Sequence, residues 1–91
     1  MSTTADLTAY LAATAQGDRA AFEQLYAPTR AKLYGVVLRI LRRHDLADEV
    51  IQETYLKIWG SAGSFDPSKA SPITWMVTIA RNRAIDLLRK R

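Results

Sequence analysis

Apolar residues recur at intervals of three and four along most of the chain, which is the spacing of one face of an α-helix. A first pattern around Leu7 predicts a short helix that ends at Gly17. Asp18 is placed to cap a second, longer helix that continues to about Arg43. Pro28 interrupts this second pattern, and a proline inside a helix removes a hydrogen bond and clashes with the preceding turn. We therefore expect the second helix to be kinked or split.

Two further helices are predicted in the second half of the chain. Asp45 is placed to cap a third helix, with Asp48 in its first turn. Residues 60–70 are rich in glycine and serine and contain a proline, so they interrupt the helix. Ser71 and Pro72 then favour the start of a fourth helix that runs to the end of the chain. The apolar stripe of the third helix consists of Ala47, Val50, Ile51, Thr54, Tyr55, Ile58 and Trp59.

These patterns predict an all-α protein, a compact bundle of about four helices with a loop before the last one. Its 91 residues are expected to form a single domain, with residues 1–6 as a flexible start. The chain has no cysteine, which excludes disulfides and thiolate metal sites. No apolar run approaches the roughly 20 residues that span a bilayer. The first ten residues lack the pattern of a secretory signal.

The net charge of +4 and the pI of about 9.8 suggest a polyanionic partner. Acidic residues nevertheless collect on one side of the third helix, where Glu49, Glu53 and Leu56 recur at spacings of three or four. We call this side the acidic face, and its members are Asp45, Asp48, Glu49, Gln52, Glu53 and Leu56.

The acidic face has three interpretations. A solvated helix surface with one stray leucine is common in soluble proteins. A docking surface would attract a basic partner with its carboxylates and bury Leu56 against it. A metal site of carboxylates with His44 is the third, but the chain has a single histidine and no second carboxylate cluster.

The fourth helix has an apolar stripe and a polar face. The apolar stripe consists of Ile73, Met76, Val77, Ala80, Ala84, Leu87 and Leu88. The polar face lies opposite and consists of Trp75, Thr78, Asn82, Asp86 and Arg89, with Arg83 and Lys90 at one margin. Such residue types suit nucleic acid, because cations contact phosphates, Asn and Asp contact base edges, and aromatics stack on unpaired bases. The alternatives are a solvated basic tail and a Trp75 that packs beneath the preceding loop.

Three segments together resemble region 2 of bacterial RNA polymerase sigma factors, in the extracytoplasmic-function (ECF) group. They are the third helix "DLADEVIQETYLKIW", the loop "SFDPSKASP" and the fourth helix "TWMVTIARNRAIDLLRKR". The stretch "GDRAAFEQLY" resembles the opening of the same domain. The resemblance covers roughly residues 7–91, and the two main motifs at this separation make it specific.

The resemblance implies that the acidic face docks on the basic coiled-coil clamp of the polymerase β′ subunit. It also implies that the last helix and its loop bind the unpaired non-template strand of the −10 promoter element, with one base flipped into a pocket. The loop positions that match are Phe65, Asp66 and Lys69, and Asn82 matches an amide that lines the base pocket. No catalytic residue, metal or cofactor is implied.

The resemblance further implies a bacterial cytoplasmic location, no membrane insertion, and an anti-sigma factor that covers these surfaces. Members of the group usually carry a second helical domain, region 4, that reads the −35 element. This chain stops at Arg91, so we expect an isolated region 2. The alternatives are a helical protein-interaction module without specific DNA readout and a carboxylate metalloenzyme.

Overall fold

The computed structural model describes residues 2–90, which form five α-helices and no strand. The helices are α1 (Thr4–Ala15), α2 (Arg19–Gln24), α3 (Tyr26–Leu41), α4 (His44–Ser61) and α5 (Pro72–Arg89), and a single 3-10 turn, Ala62–Ser64, follows α4. None of the helices in this part of the chain has the length and apolar character needed to cross a membrane. The prediction of an all-α bundle is confirmed.

Side-chain caps fix the starts of α2 and α5. The Asp18 carboxylate accepts the N–H of Ala21 at 3.1 Å. The Ser71 Oγ accepts the N–H of Thr74 at 3.3 Å, and Pro72 occupies the first helical position. These bonds satisfy backbone donors that a helix start leaves without partners. Both caps lie where the sequence predicts them.

The first helix begins earlier than the expected flexible start at residues 1–6 allows. Thr3 Oγ1 accepts the N–H of Asp6 at 3.1 Å, and the Asp6 carboxylate accepts the N–H of Thr3 at 3.0 Å. This reciprocal pair is a capping box, so residues 4–6 are helical. Met1 lies outside the described residues, as does Arg91 at the other end. The last helix ends at Arg89, and Lys90 follows in a turn.

The expectation that Asp45 caps the third helix is wrong. Helix α4 begins at His44, two residues earlier than a cap at Asp45 would allow, and Arg43 occupies the cap position without a side-chain cap bond. The Asp45 carboxylate instead accepts two hydrogen bonds from the Arg43 guanidinium. Asp45 therefore lies in the first turn, where a negative charge still favours the helix dipole. Asp48 is the fifth residue of α4, so it lies in the second turn and not in the first turn as expected.

The second predicted helix is split at Leu25, three residues before Pro28. A proline ring clashes with the carbonyl four residues earlier, which here belongs to Gln24, the last residue of α2. Pro28 then falls in the first turn of α3, where its missing N–H costs nothing. The split is therefore set by the reach of the proline ring, and it raises the helix number from four to five.

The core lies where α3, α4 and α5 pack against one another, and α1 packs across α4, α5 and the 3-10 turn. The predicted stripe of α4 is buried from Ala47 to Ile58, and Trp59 at its end is half-buried. On α5, Met76, Ala80 and Ala84 are fully buried, and the small alanines permit close packing.

Leu88 was expected in the core stripe of the last helix but is 53% exposed. Each step of four residues along a helix turns the side chain by about 40°. The row Met76, Ala80, Ala84 has therefore rotated away from the core by the time it reaches Leu88. Leu87, which was expected in the same stripe, does pack against the core at this end.

Buried polar groups in the core are paired. The hydroxyl of Thr29 donates to the carbonyl of Leu25, so the hydroxyl of Tyr55 donates to Thr29 Oγ1, at 2.7 Å. The ring of Tyr26 stacks on that of Tyr55 with 4.3 Å between centroids. Burial raises the pKa of Tyr55, because a phenolate would lose its hydration there. These contacts attach α3 firmly to the inner side of α4.

Candidate binding surfaces

Helix α4 carries the whole acidic face on its outer side. The members are exposed, except that Glu53 is partly buried toward α5. Leu56 is 71% exposed and is the most exposed large apolar side chain among residues 2–90. An apolar group in this position is stabilised only when a partner removes it from water. Leu56 continues a helix face that carries carboxylates toward the start of α4, and such a face suits a partner that is basic and partly apolar.

Asp45 contributes less charge to the acidic face than its position suggests. The Arg43 guanidinium meets it in a two-pronged ion pair with N–O distances of 2.7 and 3.1 Å. The hydrogen bonds from Arg43 lower the pKa of Asp45, and both side chains remain exposed. The carboxylates of Asp48 and Glu49 have no such ion-pair partner among the described residues.

An aromatic groove that the sequence analysis missed lies beside Leu56. It has a volume of about 350 Å³ and is lined by Arg19, Phe22, Glu23, Tyr26, Leu56 and Trp59. Phe22 and Trp59 meet edge to face with 5.1 Å between their centroids. Trp59 was predicted to belong to the apolar stripe of α4 because it follows helical apolar spacing. Phe22 and Trp59 are half-buried, so the exposed apolar area continues from Leu56 across to α2.

The polar face of α5 reaches solvent along most of its length. Thr78, Asn82, Asp86 and Arg89 are exposed, as is Lys90 beyond the helix end. The Thr78 hydroxyl donates to the carbonyl of Thr74 at 2.9 Å, so its oxygen can still accept a bond. No described residue forms a hydrogen bond with the Asn82 amide, which can both donate and accept.

The loop before α5 folds against the start of that helix. The rings of Phe65 and Trp75 lie 5.4 Å apart, and both pack against the core while remaining partly exposed. Trp75 thus packs beneath the loop, as one of its two interpretations expected, and its exposed part remains free for a ligand. Asp66 accepts bonds from the N–H and hydroxyl of Ser68, and these bonds lower its pKa. Lys69, in the same loop, is exposed.

Helices α4 and α5 form a groove of about 550 Å³ in which the two predicted surfaces meet. It is lined by Glu53, Leu56, Lys57, Ile79, Asn82, Arg83 and Asp86. Arg83 Nη2 lies 2.6 Å from Glu53 Oε2, and this bond raises the pKa of Arg83. From the sequence, Glu53 belongs to the acidic face and Arg83 to the margin of the polar face. In the structure they are a pair, so the two surfaces share a boundary.

The metal-site interpretation relied on carboxylates near His44. Within residues 2–90, no three His, Asp or Glu side chains converge on a point where a metal could bind. His44 Nδ1 instead lies 2.9 Å from the hydroxyl of Tyr34. Burial and the charge of Asp48 raise the pKa of Tyr34, in that order.

Comparison with known proteins bears on the same helices. The sequence model of the sigma-70 region 2 family matches residues 25–91. The ECF RNA polymerase sigma factor SigK of Mycobacterium sp. (strain KMS) is 44% identical over 86 residues, which are 94% of this chain and 45% of the relative. SigK of Mycolicibacterium vanbaalenii is 42% identical over 86 residues, covering 94% of this chain and 44% of the relative. SigK of Mycobacterium tuberculosis (strain ATCC 25177 / H37Ra) is 42% identical over 84 residues, covering 92% and 45%.

The chain thus spans a little less than half the length of the curated relatives it matches. The family match includes α3, α4 and α5, which carry both candidate surfaces. The resemblance inferred from the acidic helix and the last helix is confirmed by this match. The chain belongs to the sigma-70 region 2 family and is a region 2 domain of an extracytoplasmic-function sigma factor.

Proposed function

We propose that this domain acts in transcription initiation in the bacterial cytoplasm by joining RNA polymerase to promoter DNA. The acidic face docks on the basic coiled-coil clamp of the β′ subunit. The polar face and the loop before α5 bind the unpaired non-template strand of the −10 element. The observation that supports this proposal most is Leu56, which is 71% exposed at the end of the acidic face on the outer side of α4.

The docking step combines steering with apolar burial. The carboxylates of Asp48 and Glu49 attract a basic helix from a distance, and they repel a partner that is itself acidic. Covering Leu56 contributes on the order of 1–2 kcal/mol, and the aromatic groove beside it adds further apolar area. A basic amphipathic coiled coil offers both charge and apolar side chains. An anti-sigma factor that covers this face would compete with the polymerase.

DNA binding requires protein groups that replace the stacking and hydrogen bonds that a base loses when it leaves the duplex. Unstacking costs a few kcal/mol per base, so the protein must supply stacking surfaces and hydrogen bonds. The exposed parts of Phe65 and Trp75 provide stacking surfaces, and the Asn82 amide can meet one base edge. Arg89 and Lys90 provide phosphate contacts at the end of α5.

Docking is tested by the double variant Glu49→Arg with Leu56→Ala, measured against an isolated β′ clamp fragment by surface plasmon resonance. We choose Glu49 because Glu53 is paired with Arg83 and would disturb both surfaces. A charge reversal against a basic partner costs several kcal/mol, so clamp binding should fall at least about tenfold. Leu88→Ala removes an exposed leucine elsewhere and should leave binding unchanged. Full clamp binding by the folded double variant would refute the assignment.

Strand recognition is tested by Asn82→Ala. Selection from single-stranded oligonucleotides with a randomised segment first gives the preferred strand, and anisotropy then compares it with a scrambled strand. Asn82→Ala should weaken the preferred strand by about 1–3 kcal/mol and spare the scrambled one. Arg89→Ala with Lys90→Ala should weaken both and lower the salt slope by about 1.4. Equal losses on both strands in Asn82→Ala would mean that Asn82 does not read a base.

A further inference from the structure

The outer edge of α3 is the most basic part of the fold outside the two surfaces described above. Residues 26–43 contain five cationic side chains and no carboxylate. Two of the five face acids, since Arg30 lines a groove with Asp48, and Arg43 is paired with Asp45. The remaining three are exposed and share one stripe of the helix with a glycine. We call this stripe the basic edge, and it consists of Lys32, Gly35, Arg39 and Arg42.

Arg42 has a backbone conformation that suits glycine better than arginine. Its φ of 59° and ψ of 20° are left-handed, and it is the only non-glycine residue between 2 and 90 with a positive φ. This conformation ends α3, because it directs the N–H of Arg42 to the carbonyl of Leu38 at 2.7 Å. Glycine serves this position at no steric cost, whereas a side chain is strained there. The chain nevertheless presents a guanidinium.

Gly35 is the reverse case, a glycine at a position where alanine would make the helix more stable. It lies inside α3 on the exposed side, and glycine in a helix interior is less stable than alanine. A Cβ added at Gly35 would meet nothing within 4 Å, so packing inside the domain does not require its absence. Gly35, Leu38, Arg39 and Arg42 line one shallow depression of about 370 Å³. Both unfavourable residues therefore lie at the same place.

The helix dipole explains part of this arrangement. Cations are favoured at the end of a helix, which accounts for the charge of Arg39 in the last turn. The dipole does not account for an arginine in place of glycine at residue 42, nor for a glycine in place of alanine at residue 35. Residues that depart from local preference without an internal reason point to an external ligand.

We infer that the basic edge binds the phosphate backbone of double-stranded DNA, apart from the strand that α5 holds. From Lys32 to Arg42 the stripe is about 15 Å long, and each strand of a duplex carries one phosphate per about 3.4 Å of its axis. Several phosphates can therefore face the three cations, and a guanidinium can bind phosphate with two hydrogen bonds. Gly35 lets the sugar-phosphate backbone approach the helix closely. The inference rests on the proposed function, which brings the domain to promoter DNA.

The test uses three variants of the 91-residue chain and a labelled short duplex of scrambled sequence. Arg42→Gly should leave the melting temperature unchanged or raised, since relief of the left-handed backbone offsets the lost charge at the helix end. Gly35→Ala should raise the melting temperature by a few degrees. Both should weaken duplex binding about three- to tenfold, and Arg42→Gly should also lower the salt slope by about 0.9.

Gly60→Ala is the matched control, because Gly60 is also an exposed helix glycine whose added Cβ would meet nothing within 4 Å. It should raise the melting temperature without changing duplex affinity. Duplex affinities of Arg42→Gly and Gly35→Ala that equal the control would overturn the inference. Weaker binding of polyglutamate by these two variants, with duplex binding unchanged, would also overturn the inference and would indicate an acidic protein partner. Failure of the proposed function gives a different result. Asn82→Ala would then bind the preferred single strand as tightly as the unchanged protein does, while the duplex affinities of the other variants would still fall as expected.

Discussion

Tyr55 and its partner illustrate what happens at the scale of a single residue. The helical spacing of α4 predicts that Tyr55 is buried, and it is 2% exposed. Its hydroxyl, however, needs a partner inside the core, and that partner is Thr29, on another helix and 26 residues earlier. Spacing along one helix carries no information on which side chain of a neighbouring helix lies opposite. Burial could therefore be predicted here, whereas the hydrogen bond could not.

Replacing Tyr55 with phenylalanine should reduce stability modestly at neutral pH. The Thr29 hydroxyl keeps its bond to the carbonyl of Leu25, so no buried donor is left without a partner. We expect a loss of about 1 kcal/mol in the free energy of unfolding, measured by urea denaturation.

A comparison of the wild-type protein with Tyr55→Phe over a range of pH tests the raised pKa of Tyr55. The pKa of Tyr55 is raised in the folded state, so above about pH 10 the unfolded chain releases the proton first. The wild-type protein should therefore lose stability relative to Tyr55→Phe as the pH rises through this range. The other tyrosines are present in both proteins, so the difference isolates Tyr55. A constant difference between pH 7 and pH 11 would contradict the raised pKa.

At the scale of helices, the residues on each face could be predicted from the sequence. The contact between the acidic face of α4 and the polar face of α5 could not. The patterns of α4 and α5 assign Glu53 to one surface and Arg83 to another. The packing angle of the two helices brings these side chains to 2.6 Å. That angle depends on small residues in the shared core, such as Ala80 and Ala84. The boundary between the two candidate surfaces follows from packing and has no signature in either helix alone.

The variant Glu53→Gln tests the consequence of this pairing for DNA. The Glu53 carboxylate neutralises Arg83 and repels phosphates that approach the polar face. The variant should therefore bind single strands of any sequence about two- to fivefold more tightly, with a steeper salt slope by up to about 0.7. Anisotropy over a range of salt concentrations measures both quantities.

Glu49→Gln is the control for this change, since it removes a carboxylate from the same helix without breaking the bond to Arg83. Its effect on DNA affinity should be smaller. Weaker DNA binding by Glu53→Gln than by Glu49→Gln would show that Glu53 positions Arg83 for DNA. The pair itself is partly exposed, and exposed ion pairs add little stability, so both variants should fold normally.

At the scale of the whole molecule, the domain separates its charges despite a modest net charge of +4. Four carboxylates, those of Asp45, Asp48, Glu49 and Glu53, lie along α4, whereas cations lie along the basic edge of α3 and at the end of α5. The sequence predicts the all-α class and the α4 core because apolar spacing reports burial directly. It also predicts the interruption at Pro28, and the structure shows which outcome applies, a split at Leu25 in the turn before the proline. It also keeps Leu88 in the core, because a straight four-residue row ignores helical rotation.

The two tryptophans lie in different settings, which has a spectroscopic consequence. Trp59 lies in the aromatic groove beside Leu56, in edge contact with Phe22. Trp75 lies beneath Phe65 in the loop before α5. Indole emission depends on solvent exposure and on nearby quenchers, so each tryptophan reports its own surface. Trp59→Phe and Trp75→Phe each leave a single tryptophan in the chain. These two variants can separate, in real time, the arrival of the proposed protein partner from the arrival of the proposed DNA strand.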